Sequence, residues 1–108
     1  MVGDDLELQQ RTGLYRGMLV DVRVTGHRDR FGIEVEVISG GLGFPAFIDA
    51  ALISDRWART SKEEFPEMGL ELKAIVSAFM PNGELRLDAR SSVIRLWAEG
   101  ESRPPSST

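Results

Sequence analysis

The sequence predicts an all-β fold: one five-stranded barrel with a short helical connection and flexible ends. Three observations carry that expectation. Met18, Val20, Val22 and Val24 alternate with a mostly polar set, and Ile33, Val35 and Val37 alternate with Glu34 and Glu36. Successive side chains of a strand point to opposite faces, so each run reads as a half-buried strand. Further on, Pro81-Asn82-Gly83 separates two more runs of β character, and Asn-Gly in that setting is a strong hairpin signal because both residues accept positive φ. The length of 108 residues, with 42% hydrophobic and 28% charged residues, suits one folded domain with one core.

Residues 1–13 read as a flexible N-terminal arm, polar at first, with Leu6 and Leu8 as anchors. The barrel is expected over 14–98. Its first strand is Met18 to Thr25, with Asp21, Arg23 and Thr25 facing outward. Gly26 to Arg30 is a polar connection to the second strand, Phe31 to Val37, where Gly32 marks a place for a bend or bulge. Ser39-Gly40-Gly41-Leu42-Gly43 is a loop; it lacks the lysine and the strand-to-helix setting that a phosphate loop needs. Ala46 to Asp49 is a short third strand, and Ala50 to Ser54 leaves it as about one helical turn. The charged stretch Asp55 to Glu67 holds a short helix, with Thr60 or Ser61 as N-cap. Leu70 to Phe79 is a long fourth strand. Leu85, Leu87 and Ala89 alternate with charged residues in the fifth. Ser91 to Ala98 forms a short helix or an extension on the barrel's edge. Residues 99–108, rich in Gly, Ser and Pro with charges, read as a disordered tail.

Composition narrows function by exclusion. The chain has no cysteine and one histidine, which removes disulfides, cysteine-based metal sites and thiol catalysis. No catalytic constellation is visible: no serine sits in a nucleophile-elbow setting. The carboxylates Glu34, Glu36 and Asp49 lack the spacing of a hard-cation loop. No enzyme activity, metal or cofactor is therefore expected. No run reaches the roughly 18 apolar residues of a membrane helix, and Met1 to Gln10 lacks a signal pattern, so a cytoplasmic protein with no membrane partner is expected. The net charge of −4 argues against broad charge-driven nucleic-acid binding, while leaving room for a local basic face.

The order strand, loop, strand, glycine loop, short strand, helical connection, long strand, Asn-Gly turn, strand is the plan of an OB barrel. The residues carry a more specific likeness. Gly17 followed by Val20 to Thr25, then Arg30-Phe31-Gly32-Ile33-Glu34-Val35, resembles the opening of the S-one RNA-binding domain, named after the large small-subunit ribosomal protein. Ala46 to Ser54 is similar to that family's segment after the glycine loop. Met68 to Val76 resembles its fourth strand, and Gly83 to Arg90 its closing "G-x-I-x-L-S-x-R". The resemblance spans Leu14 to Arg90 and implies binding of single-stranded or structured RNA on one barrel face, with aromatic rings on bases and cations on phosphates.

Carried over by position, Phe31 matches the family's first stacking aromatic. Glu34 stands where a second aromatic is usual, Asp49 where a histidine is common, Met80 near an often acidic position and Glu84 where a basic residue often follows the turn glycine. Three carboxylates on that face oppose a polyanion. The expected RNA-binding residues are Arg23, Arg28, Arg30, Phe31 and Arg86, with Phe31 stacking and the arginines meeting phosphates or bases. Plainer readings stand beside these: Phe31 as a core residue at the strand's start, Tyr15 and Phe44, otherwise extra stacking platforms, as packing, and the basic set His27, Arg28, Arg30, Arg23, Arg86 and Arg90 as a salt-bridged surface. The competing functional reading is a protein-interaction module that kept the barrel and lost RNA binding.

Overall fold

A computed structural model describes residues 5–55 and 60–102, with side chains over 9–55 and 60–97. Five strands close a barrel in the order β1-β2-β3-β5-β4: β1 Leu19–Arg28, β2 Gly32–Val37, β3 Phe44–Asp49, β4 Glu71–Phe79 and β5 Leu85–Asp88. All neighbours run antiparallel except β3 and β5, which are parallel. Closure gives every strand of the barrel two hydrogen-bonded neighbours. The five-stranded barrel expected from the alternating runs is what the chain forms.

The core is the set of inward positions. Val20, Val22 and Val24 of β1, Ile33, Val35 and Val37 of β2, Ile48 of β3, Val76 of β4 and Leu85 and Leu87 of β5 are each at most 1% exposed. These residues are β-branched or leucine, and they fill a small barrel without buried polar atoms that lack a partner among the described residues. Phe65, Phe79 and Leu14 pack into the same core.

Two irregularities decide what faces outward. β1 runs three residues beyond the expected Thr25. Val24 pairs with Val35 and Gly26 with Glu34, so Thr25 is an extra residue in the ladder. The bulge shifts the alternation, and Gly26 and Arg28 face outward where an unbroken alternation would turn them in. A second bulge, at Ser77 between Val76 and Ala78, does the same for β4. The register shift thus falls at Thr25, while Gly32 keeps regular pairings with Arg28 and Asp49.

The β4–β5 hairpin also differs in detail. The Gly83 N–H donates to the Met80 carbonyl at 2.8 Å, and Met80 N–H donates to Glu84 O at 2.8 Å. Gly83 has φ +89°, whereas Asn82 is not in the positive-φ region. The connection is therefore a Pro-containing turn followed by a left-handed glycine, not a two-residue turn with both central residues left-handed. Asn82 contributes through its side chain, whose Oδ1 accepts from Glu84 N–H at 3.0 Å.

Two helices flank the barrel. Asp5–Thr12 forms α1 within the stretch read as an arm, and α2 spans Ser91–Ser102, reaching past the expected end at Ala98. Short 3-10 turns occupy Ser39–Gly41, Ala50–Leu52 and Lys62–Glu64. Ser61 stands at the N-cap of the last of these without a side-chain bond, and Thr60 is buried. Leu6 and Leu8, read as anchors of the arm, lie outside the described side chains.

Candidate nucleic-acid interface

The outer surface of β1, β2, β3 and β5 carries one continuous row. Gly26 pairs with Glu34, Glu34 with Phe47, and Phe47 with Arg86. Phe47 therefore points away from the core, yet it is only 3% exposed. Two guanidiniums cover it. The Arg28 Cζ lies 4.2 Å from the ring centroid and the Arg86 Cζ lies 5.0 Å from it, both within cation–π range. The ring reaches back over Gly32: a Cβ there would come within 2.6 Å of Phe47 Cζ and 2.2 Å of the Ile48 carbonyl oxygen. Only glycine leaves room for the ring to lie against the sheet.

Carboxylates hold the two arginines in place. Arg28 donates from Nε to Glu34 at 3.1 Å and from Nη1 to Glu84 at 2.9 Å, while Arg86 donates from Nε to Glu84 at 2.7 Å. Two guanidiniums on one ring are thus each matched to carboxylates. Partial burial pushes the Glu84 carboxyl up, but the hydrogen bonds from Arg86 and Arg28 outweigh it and hold the group below the usual carboxylate range. Burial likewise disfavours the Arg28 cation, and the bonds to Glu84 and Glu34 more than restore it. A groove of about 370 Å³ opens beside this cluster, lined by Arg28, Glu34, Pro45, Asn82 and Glu84 among others.

Phe31 stands at the adjoining turn between β1 and β2. Its ring is half exposed, at 50%, which excludes the core reading. The Arg30 guanidinium lies 5.5 Å from its centroid. The backbone at Phe31 is pinned: its N–H donates to the Arg28 carbonyl and its carbonyl accepts from Ala50, both at 2.9 Å. The main chain that carries the ring is thus ordered before any ligand arrives.

The expected residues thus separate into groups. Arg28 and Arg86 meet over Phe47, and Arg30 and Phe31 form a second cation–aromatic pair on the turn that Arg28 leads into. Arg23 stands apart, paired across its neighbours with Glu36 at 3.2 Å and Glu71 at 3.3 Å. Arg90 is bound to Asp88 at 2.8 Å. His27 Nε2 lies 2.7 Å from the Pro66 carbonyl, and its ring meets Phe65 edge-on at 5.5 Å, a closing role for the barrel's end. Asp49 accepts from Ala51 N–H at 2.8 Å and caps the following turn. Phe44 packs against the core, whereas Tyr15 is 45% exposed.

Phe47 escaped the sequence reading. Ala46, Phe47 and Ile48 form an unbroken apolar run, and such a run hides which residue faces out. The available signal was parity: Phe47 shares a face with Asp49, two positions on.

The closed five-stranded barrel in the order β1-β2-β3-β5-β4 is an OB-type fold. No protein-family model matches the sequence, and no curated protein matches it. Solved structures do. A chain of an a/eIF2alpha-aDim2p-rRNA complex from Pyrococcus horikoshii OT3 is similar at a TM-score of 0.63 and 21% identity, over 82% of this chain and 52% of that one. The intact alpha subunit of aIF2 from Pyrococcus abyssi gives 0.56 and 21%, over 68% and 28%. GSP13 from Bacillus subtilis gives 0.59 and 16%, over 88% and 64%. The chain spans less than two thirds of each of these neighbours, and at such identities the likeness is one of fold.

Proposed function

We propose that this chain is a non-catalytic nucleic-acid-binding module that takes single-stranded or structured RNA weakly, in the cytoplasm, through Arg23, Arg28, Arg30, Phe31 and Arg86. The observation that carries the reading is the half-exposed, backbone-pinned ring of Phe31 beside Arg30, next to a second ring covered by Arg28 and Arg86. An exposed ring accepts any base on its face, and neighbouring guanidiniums suit phosphate or stacked bases. The neighbour solved in a complex with rRNA supports the same reading.

The test is a titration of isotope-labelled protein with a short single-stranded RNA at low and moderate salt. Amide shifts should cluster at Arg23, Arg28, Arg30, Phe31 and Arg86 and fade as salt rises. A silent spectrum at low salt would exclude RNA binding. The second reading, a protein-interaction module, is favoured by one observation: Glu34 and Glu84 neutralise the arginines that RNA would use. It requires a protein partner that survives RNase treatment in pull-downs.

A further inference from the structure

The arginine pair over Phe47 has the geometry of an oxyanion site that already holds an oxyanion. Arg28 Nη1 reaches one carboxylate oxygen of Glu84 at 2.9 Å, and Arg86 Nε reaches the other at 2.7 Å. Two guanidiniums converging on two oxygens of one anion is how arginines hold a phosphate. The shared ring of Phe47 fixes both cations from below. The anion is delivered by the chain itself: Glu84 ends the β4–β5 turn, with its N–H on Asn82 Oδ1 and its carbonyl on Met80 N–H. Its side chain is 19% exposed, whereas those of Arg28 and Arg86 are 42% and 36% exposed. Both cations therefore keep an outer edge toward solvent, and Arg28 also lines the adjoining groove, while the donors named above are taken.

We propose that Arg28 and Arg86 form a phosphodiester subsite for RNA, and that Glu84 occupies it in the free chain as an internal competitor. The inference rests on the RNA-binding reading above. An incoming phosphate replaces the Glu84 carboxylate on the two guanidiniums, and Glu84 turns into the groove or solvent. Because the carboxylate is tethered, it competes at high effective concentration, so the subsite takes RNA only weakly while Glu84 is ionised.

The experiment uses the full chain and a dye-labelled single-stranded RNA of eight nucleotides with mixed sequence. Glu84→Gln keeps an acceptor oxygen and the side chain's shape but loses the charge. It should bind about 5- to 10-fold more tightly at low salt, with a salt slope steeper by about 0.7, the value for one additional phosphate. Glu63→Gln, the same charge change on the exposed turn Lys62–Glu64, should bind like the wild type. Adding Arg28→Gln to the Glu84→Gln chain should remove the gain. Equal tightening by Glu63→Gln would make the effect one of net charge and overturn the subsite. So would unchanged affinity of Glu84→Gln in a chain whose Phe31→Ala variant binds less, and RNA binding itself would then stand. No binding by wild type or Glu84→Gln at low salt removes both. If Glu84→Gln loses its amide dispersion, Glu84→Ala, which also removes the carboxylate, tests the same direction.

Discussion

A single hydrogen atom in place of a methyl group lets the candidate face exist. Gly32 lies beneath Phe47 and against the Ile48 carbonyl, and a Cβ would sit within 2.6 Å and 2.2 Å of them. The obstruction on one side is backbone, which cannot rotate away. Gly32→Ala should therefore destabilise the domain by about 1–3 kcal/mol, the usual cost of overpacking, read as a lower urea midpoint at unchanged slope. An unchanged midpoint would show that the ring and strand yield freely. Phe31 behaves oppositely. Its ring is half exposed, so Phe31→Ala should leave the midpoint nearly unchanged and weaken RNA binding about 10-fold, within the range for one lost stacking platform. The contrast explains what the sequence could reveal. Phe31 follows a polar turn and precedes a clean alternation, so its position was legible. Phe47 sits in an apolar run, and its outward direction depends on register with Glu34 and Arg86. The role of Glu84 was legible only as a charge; its grip on two arginines needed the end of β1 brought against the start of β5.

At the scale of elements, α2 shows how a distant residue can start a helix. Asp55 accepts from Ser92 N–H at 3.1 and 3.2 Å through its two oxygens, and from the Ser92 hydroxyl. An N-terminal amide is thereby satisfied from outside the helix. The Ser92 hydroxyl bond, above all, holds the Asp55 carboxyl below its usual range, with the backbone bond and the nearby arginines adding to it. A carboxylate held low contributes stability above its unfolded-state value, near pH 4, and loses it as pH falls through the lower folded value. Asp55→Ala should speed amide exchange at Val93 and Ile94 at neutral pH, and wild type should approach the variant in acid below that window. Identical exchange in both chains at neutral pH would leave α2 anchored by packing alone. The helix itself was partly legible. Val93, Ile94, Leu96 and Trp97 mark it, but Glu99-Gly100 read as the start of a tail, since glycine is a poor helix former. The helical span continues to Ser102. The extra residue at Thr25 was not legible for a different reason: nothing in a Val-Thr-Gly sequence distinguishes a bulge from the end of a strand.

For the whole molecule, strand order was readable from punctuation, because each strand is bounded by glycine or a polar turn. Closure was not. The parallel pairing of β3 with β5 and the pairing of β1 with β4 join segments far apart in sequence, and only the resemblance to a known plan supplied them. The same closure governs charge. A chain of net charge −4 becomes a surface on which many cations are matched to carboxylates: Lys73 with Asp21, Arg23 with Glu36 and Glu71, Arg28 with Glu34 and Glu84. Among the described residues the cations form no extended basic field, so under the proposed RNA-binding function long-range steering would be weak, and affinity would come from stacking and from a few phosphates that displace carboxylates. If three phosphates are engaged, the salt slope for single-stranded RNA is about −2, and affinity should fall about 20-fold between 50 and 200 mM salt. Stacking on Phe31 is insensitive to salt, so the Phe31→Ala chain should show the same slope at a lower overall affinity. Binding isotherms at four salt concentrations for both chains decide the matter. Parallel lines mean that ring and cations act independently. A flat line for wild type means that the arginines stay with their carboxylates, and that RNA, if held, is held by the ring alone.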